Sequence, residues 1–249
     1  MRLKFCLVIF LLKESCIVGA QDKILIAAAS DLKFAMDSVI RAFAKSNSGK
    51  VEITYGSSGK LYEQIANSAP FDIFFSADIS YPEKLKSESK VSSDVYQYAK
   101  GRIVIWSRKF DPRQKEMKSL LDPSIKKIAV ANPEHAPYGK RAMESLEYYK
   151  ISGAVKPKLV YGENISQTAQ FISTGAADIG IIALSLALSP NMKNDGKYFL
   201  ISEDSYQPLT QGAVITIHGK GNKLARSFFD FVKTDKAISI LQHYGFSKP

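Results

Sequence analysis

The sequence is poor in the side chains that perform thiol, redox or metal chemistry. It has two cysteines and three histidines among 249 residues. Cys6 and Cys16 both fall within the first twenty residues, which we interpret below as a removable segment. The rest of the chain is therefore expected to have no disulfide and no reactive thiol. The histidines, His135, His218 and His243, do not lie at metal-ligand spacing from one another or from carboxylates, so no cofactor or metal centre is expected.

Long apolar runs are missing beyond the N-terminus. Arg2 and Lys4 precede the apolar residues 5–12, and Val18-Gly19-Ala20 offers small residues before a cleavage point. This pattern predicts a secretory signal peptide over residues 1–20, and its length disfavours the alternative of a membrane-spanning anchor. No later stretch approaches eighteen unbroken apolar residues. We expect a soluble protein that is exported to the periplasm.

Dense basic runs are missing too, although the formal net charge is +10. Removing Arg2, Lys4, Lys13 and Glu14, which together carry +2, leaves +8 for the mature chain. The lysines are scattered and are not interleaved with aromatic residues, so nucleic acid is not an expected partner. A solvated basic surface that modestly attracts small anions is the favoured interpretation.

What the sequence does contain is a repeated order of buried strand, short turn and amphipathic helix. Continuous apolar runs are typical of parallel strands that are covered on both faces. The predicted strands are residues 23–29, 51–56, 71–77, 127–131, 159–161, 178–183 and 212–217. Residues 96–107 are predicted to form a strand that leads out of the first group of strands and helices. A helix is expected from about Lys140.

These elements predict an α/β protein with two lobes, each a mostly parallel sheet flanked by helices, joined by two crossovers. Residues 21–100 and 207–249 are assigned to lobe 1, and residues 101–206 to lobe 2. The cleft between two such lobes is a usual place for a small ligand.

Hydroxyl side chains and helix N-termini coincide at the ligand-facing ends of the strands. Ser30 and Ser58 follow the first two strands, and the amides near Tyr138 and Ile165 open helices in the second lobe. The first amides of a helix have no intrahelical acceptor and carry the positive end of its dipole, so they favour anions. A site of neutral donors suits a fully ionised oxyanion and penalises a protonated one, whose O–H would meet no acceptor. The competing interpretation of each serine is an ordinary helix cap.

Enzymatic activity is weakly supported. A serine hydrolase using Ser58 is the alternative function, but Gly56-Ser-Ser-Gly59 is one residue shorter than the Gly-x-Ser-x-Gly elbow. His135 is the histidine closest to the expected cleft, and no acid–base pair is evident beside it. Asp72 and Asp78 are expected to form turn or interlobe hydrogen bonds rather than bind a metal.

Several short motifs together resemble the periplasmic molybdate-binding proteins of ABC transporters. In chain order they are Ala27-Ala-Ala-Ser30, Gly56-Ser-Ser-Gly59, Ala69-Pro-Phe-Asp-Ile-Phe-Phe-Ser-Ala-Asp78, Asn132-Pro-Glu-His-Ala-Pro-Tyr-Gly139 and Tyr244-Gly-Phe246. The resemblance implies a type II solute-binding fold that closes on a molybdate or tungstate dianion and delivers it to a membrane permease. It also implies a monomer whose ligand is held by Ser30 and Ser58 through hydroxyl and amide groups, and by Tyr138 and Ile165 through amides.

One position departs from that family. Many members have a tyrosine where this sequence has Ala183. The resemblance implies that either of two groups replaces the missing tyrosine hydroxyl as a donor to the ligand: the hydroxyl of Tyr138 or the amide of Asp31. Sulfate or another oxyanion stays an alternative ligand, and phosphate is disfavoured because none of the expected contacts would accept its proton.

Overall fold

The computed structural model describes residues 23–249. The expected signal peptide and both cysteines lie outside the described residues. Within residues 23–249, no helix combines the length and the apolar character that crossing a membrane requires.

Ten strands and nine α-helices form the described part of the chain. The strands are β1 (Lys23–Ala29), β2 (Lys50–Gly56), β3 (Ile73–Ser76), β4 (Tyr96–Gly101), β5 (Ile103–Ser107), β6 (Ile128–Ala131), β7 (Leu159–Gly162), β8 (Ile179–Ala183), β9 (Lys197–Leu200) and β10 (Leu209–Ile215). The helices are α1 (Lys33–Phe43), α2 (Ser58–Ala66), α3 (Ser80–Ser87), α4 (Pro137–Tyr148), α5 (Ser152–Val155), α6 (Ile165–Ser173), α7 (Leu184–Ala187), α8 (Lys223–Val232) and α9 (Asp235–His243).

The strands form two five-stranded sheets, which confirms the predicted fold class. Their orders are β2-β1-β3-β10-β4 and β7-β6-β8-β5-β9. Both sheets are more mixed than predicted, since β10 and β5 run antiparallel to their neighbours. The reason is the crossover. A strand that arrives from the other lobe enters at the edge where the parallel strands end, so it must run in the opposite direction.

Each sheet has its own apolar core, formed by side chains that alternate onto flanking helices. One core surrounds Trp106 and Val130, which are fully buried. Another packs Phe43 of α1 against Phe228 of α8, with the rings in an edge arrangement and their centroids 5.0 Å apart. Burying one such side chain stabilises the fold by about 1.5–3 kcal/mol. Because each helix and strand buries several of them on one face, its apolar residues recur at regular spacing, and that spacing allowed the elements to be predicted.

Local details differ from the sequence-based expectation at several places. Helix α4 begins at Pro137, about three residues before the predicted start, because proline has the backbone angle of a first helical turn and lacks only an amide that would be unpaired there. The strand predicted over residues 96–107 is two strands, β4 and β5, which belong to different sheets. Helix α3 and strand β9 were not predicted, since α3 is short and largely polar and β9 has only four residues.

Gly180 tests the close packing of β8 against its neighbours. A methyl group there would overlap the carbonyl oxygen of Ala129 and the side chain of Ile172. We expect Gly180→Ala to destabilise the fold by about 1–3 kcal/mol, as overpacking usually does. This corresponds to a fall of at least about 2 °C in the thermal unfolding midpoint of a chain of this size. Gly153→Ala is the control, since open space surrounds that position. Equal midpoints for the two variants would contradict the packing described for β8.

Candidate anion-binding site

The N-termini of α2, α4 and α6 and the turn after β1 converge on one small cavity between the two sheets. The cavity volume is about 10 Å³, far less than the roughly 300–1,000 Å³ of pockets that enclose organic ligands. Its lining residues are Ala29, Ser30, Asp31, Gly56, Ser57, Ser58, Ala77, Ala136, Pro137, Tyr138 and Ile165. The structure thus brings together all five residues that the sequence singled out, and each is at most 4% exposed.

Three of these residues present backbone amides from the first turn of a helix. Ser58 and Ile165 are the first residues of α2 and α6, and Tyr138 is the second residue of α4. First-turn amides have no intrahelical acceptor. Within residues 23–249, these three donate to no protein acceptor. The three helix dipoles also place positive potential at the cavity.

Ser58 does not act as a helix cap. The residue at the cap position of α2 is Ser57, and no side-chain capping hydrogen bond is present. Instead, Ser58 Oγ accepts a hydrogen bond from the Ala77 amide at 2.9 Å. Because its oxygen is held as an acceptor from one side, the hydroxyl proton of Ser58 is available to another acceptor.

Ser30 connects the two lobes rather than capping α1. Its hydroxyl donates to Asn164 Oδ1 at 3.1 Å and accepts from the Ser166 amide at 3.3 Å. The Ser166 hydroxyl donates to the Ser30 carbonyl at 2.8 Å. Asn164 caps α6 by accepting from the amides of Ser166 and Gln167. The sequence analysis missed Asn164, although asparagine directly before a helical pattern is a recognised start signal.

A buried polar network lies beside the same cavity. Asp31 Oδ2 accepts hydrogen bonds from the Tyr138 hydroxyl at 2.9 Å and from Gln211 Nε2 at 2.7 Å. The Tyr98 hydroxyl donates to Gln211 Oε1 at 2.6 Å, and the Ser185 hydroxyl donates to the Asp31 carbonyl. The proton of Tyr138 is therefore used on Asp31. Of the two replacements expected for the missing tyrosine, the hydroxyl of Tyr138 is engaged by Asp31, and the amide of Asp31 stays a prediction.

Burial dominates the electrostatics of this network. It raises the pKa of Asp31 to about 6, although the hydrogen bonds from Gln211 and Tyr138 and the nearby amides of Asp31 and Leu32 all lower it. Burial, and then the charge of Asp31, raise the pKa of Tyr138 well above its usual value. Tyr138 therefore stays protonated and continues to donate across the lobes.

A second set of interlobe contacts covers the rim of the cavity, and we call Ser57, Lys60, His135 and Glu163 the rim cluster. His135 Nδ1 lies 2.9 Å from Ser57 Oγ, and the His135 carbonyl accepts from the Gly59 amide at 2.9 Å. Lys60 forms an ion pair with Glu163 of the opposite lobe. Together these contacts hold the start of α2 against the loops before α4 and α6.

The rim cluster has the residue types of a serine–histidine–acid triad, but its geometry favours closure over catalysis. His135 Nε2 is 3.7 Å from Glu163 Oε2, beyond hydrogen-bonding distance. The Ser57 side chain is buried, and the cavity beside it is too small for an ester substrate. The oxygen of Ser58, the nucleophile of the alternative function, is bonded to the Ala77 amide and not to a histidine.

The remaining predicted polar residues have structural contacts. Asp72 Oδ2 accepts from the Leu25 amide at 2.7 Å, and Asp78 Oδ2 lies 3.5 Å from Arg141 Nη2 across the lobes. His218 and His243 are exposed, as expected. No group of three or more His, Cys, Asp or Glu residues within 23–249 is arranged to hold a metal ion.

A larger groove of about 440 Å³ lies next to the cavity and shares Ser30 with it. It is lined mainly by side-chain amides, hydroxyls and apolar groups, and two helix N-termini, those of α1 and α6, contribute to it. The smaller cavity is therefore the better anion site, because three helix N-termini meet there.

Comparisons with known proteins agree with this geometry. Residues 24–247 match the family model described as bacterial extracellular solute-binding protein. The chain is 35% identical to the molybdate-binding protein ModA of Azotobacter vinelandii over 89% of this chain and 88% of that protein. It is 33% identical to ModA of Rhodobacter capsulatus, over 92% of this chain and 89% of that protein.

A solved structure extends the likeness to three dimensions. The periplasmic molybdate-binding protein of Azotobacter vinelandii superposes with a TM-score of 0.84 at 30% identity, covering 91% of this chain and 99% of that one. The described lobes, the cavity and these relatives together place the chain in a family. It belongs to the bacterial extracellular solute-binding proteins, in the group that includes the ModA proteins.

Proposed function

We propose that this protein binds molybdate, and also tungstate, in the cavity between its lobes and delivers the anion to the permease of an ABC transporter from the periplasm. The observation that carries the proposal is the meeting of three helix N-termini at a cavity sized for one small ion. The named relatives support molybdate as the ligand. This is a transport function, and the proposal includes no chemical step.

The donor set suits a tetrahedral dianion. Amides of Ser58, Tyr138 and Ile165 and the hydroxyl of Ser58 approach from both lobes, and the amide of Asp31 is a further proposed donor. The Ser30 hydroxyl donates to Asn164 and is not counted among the donors. Among residues 23–249, no lysine or arginine lines the cavity. Neutral donors stabilise the anion without the desolvation cost of a buried cation. Because the donors belong to both lobes, the anion bridges them and favours the closed form.

A thermal unfolding series tests the ligand. We expect molybdate and tungstate to raise the unfolding midpoint, because a ligand at about a hundred times its dissociation constant adds roughly 2.7 kcal/mol to the folded state. That corresponds to about 5–10 °C for a chain of this size. Sulfate and phosphate are the comparison anions. A shift with sulfate as large as that with molybdate would assign a broader specificity, and no shift with molybdate would reject the proposed ligand.

Ser58→Ala tests the hydroxyl contact. Loss of a hydrogen bond to a charged group costs about 1.5–3 kcal/mol, so the dissociation constant for molybdate should rise by about 10- to 100-fold in calorimetric titration. The variant also leaves the Ala77 amide unpaired, which should lower the unfolding midpoint modestly.

Ser107→Ala is the matched control for that loss of stability. Ser107 is a buried serine remote from the cavity, and its oxygen accepts from the amides of Lys109 and Phe110. We expect a similar fall in the midpoint but an unchanged dissociation constant. Equal affinities in the Ser58 and Ser107 variants would remove the Ser58 hydroxyl from the site.

Glu163→Gln tests the rim cluster, which joins the lobes outside the cavity. Both charged groups of the Lys60–Glu163 pair are nearly half exposed, so the pair is worth at most about 1 kcal/mol. We expect the anion to dissociate about two- to fivefold faster in stopped-flow measurements, with the difference shrinking at high salt. Glu52→Gln is the control, because Glu52 pairs with Lys23 and Lys50 inside one lobe. Equal rates in the two variants would show that the ion pair does not hold the closed form.

A further inference from the structure

A carboxyl group is an unexpected lining residue for an anion site, because its negative charge repels the ligand. Asp31 lines the cavity and is only 1% exposed. Its Oδ2 accepts two hydrogen bonds, whereas its Oδ1 is buried with no hydrogen-bond partner among residues 23–249. An unpaired buried polar atom in a native protein needs a specific reason, such as an absent ligand. Oδ1 is thus the oxygen of this carboxyl group that has both lone pairs unused.

Among residues 23–249, no cationic side chain pairs with Asp31. Helices α6 and α7, which pack against the turn that holds it, contain no ionisable side chain. Helix α4 faces it with Tyr138, and the strands β10 and β4 face it with Gln211 and Tyr98. The charged residues of α1 and α4 engage elsewhere or are exposed: Lys33, Asp37, Arg41, Lys140, Arg141, Glu144 and Glu147.

Two negative groups therefore meet in a buried volume when a dianion enters. Like charges in a low-dielectric site disfavour the ionised form of the more weakly acidic partner, and such a pair retains one proton. The unpaired Oδ1 provides the place for it. Whether the proton resides on Oδ1 or on the anion, the same hydrogen bond joins the two oxygens.

We propose that Asp31 and the bound oxyanion share one proton, which is taken up from solvent when a dianion binds, so that this carboxyl group is a specificity-determining residue. The inference rests on the proposed anion site. The charge balances as follows: one carboxylate, one dianion and one proton give a complex of net charge −2. No covalent bond forms in the protein.

This arrangement changes the expectation for protonated anions. A site of donors alone penalises them, but the Oδ1 of an ionised Asp31 accepts the O–H of an anion that brings its own proton. Such an anion, for example hydrogen phosphate, needs no proton from solvent. The discrimination between molybdate and phosphate therefore depends on pH as well as on cavity size.

The pH dependence has a definite sign. Without ligand the pKa of Asp31 is about 6, and a neighbouring dianion raises it further. The affinity for a dianion is therefore constant below about pH 6 and falls by up to about tenfold per pH unit above it, until the higher pKa of the complex is reached.

Proton counting by calorimetry tests the proposal. Molybdate is titrated into the mature protein at about pH 7.5 in Tris and in HEPES, whose ionisation enthalpies differ. The difference between the two binding enthalpies gives the number of protons taken up. We expect about one proton per bound anion in the wild type and about none in Asp31→Asn. Asp37→Asn is the matched control, because that carboxylate on α1 is bonded to Tyr55 outside the cavity, and it should behave as the wild type.

Each outcome decides the proposal. No proton uptake in the wild type, or equal uptake in Asp31→Asn, overturns it. If Asp31→Asn does not fold, Asp31→Ser removes the same carboxyl group and is read in the same way. The dissociation constant measured across about pH 6–8 must show the expected fall in affinity for the wild type and a flat profile for the variant.

Parallel titrations with tungstate, sulfate and phosphate separate this inference from the proposed function. Uptake of one proton with sulfate but no binding of molybdate would support the role of Asp31 and reject the proposed ligand. Binding of molybdate without proton uptake would support the proposed ligand and reject the role of Asp31. Failure of all four anions to bind the wild type would overturn both.

Discussion

The unpaired amides at helix starts are the constraint around which this molecule is arranged. A first-turn amide has no acceptor inside its own helix, and one that is buried needs a partner from elsewhere. Here three such amides, from Ser58, Tyr138 and Ile165, point to one cavity between the lobes. The sheet order places them there, because parallel strands deliver every following helix to the same edge. A small anion between the lobes satisfies donors from both.

Closure of the lobes is distributed over several contacts of different strength. The buried hydrogen bond from Tyr138 to Asp31 and the contact between Ser30 and Asn164 lie next to the cavity. The rim cluster and its ion pair lie outside, where solvent screens them. The inner and outer contacts therefore influence different properties, namely the affinity for the anion and the rate at which the lobes open. The inner contacts belong to the donor geometry, and the outer ones mainly influence how fast the lobes part.

The sequence analysis was most successful where burial and periodicity agree. Strand β1 has the predicted bounds, and helix α8 follows the predicted apolar spacing, because one face of each element is almost wholly buried. It was less successful where partners are distant in sequence. Ser58 was weighed as a cap, but its oxygen accepts from Ala77 nineteen residues away. Asn164 was overlooked, because its bond to Ser30 spans 134 residues.

By itself, the sequence determined the two-lobed α/β class, the helix starts that could bind an anion and the five residues singled out for the cavity. The class, the helix starts and four of the residues, Ser30, Ser58, Tyr138 and Ile165, follow from local pattern and from the rule that parallel strands share a ligand-binding edge. The fifth, Asp31, came from the family resemblance. Only the tertiary structure decided what each side chain does: that Tyr138 donates to Asp31, that His135 contacts Ser57, and that one oxygen of Asp31 is left unpaired. The physical reason is that hydrogen bonding and pKa depend on burial and on partners from the other lobe. Those partners are distant in the sequence, so no repeating sequence pattern identifies them.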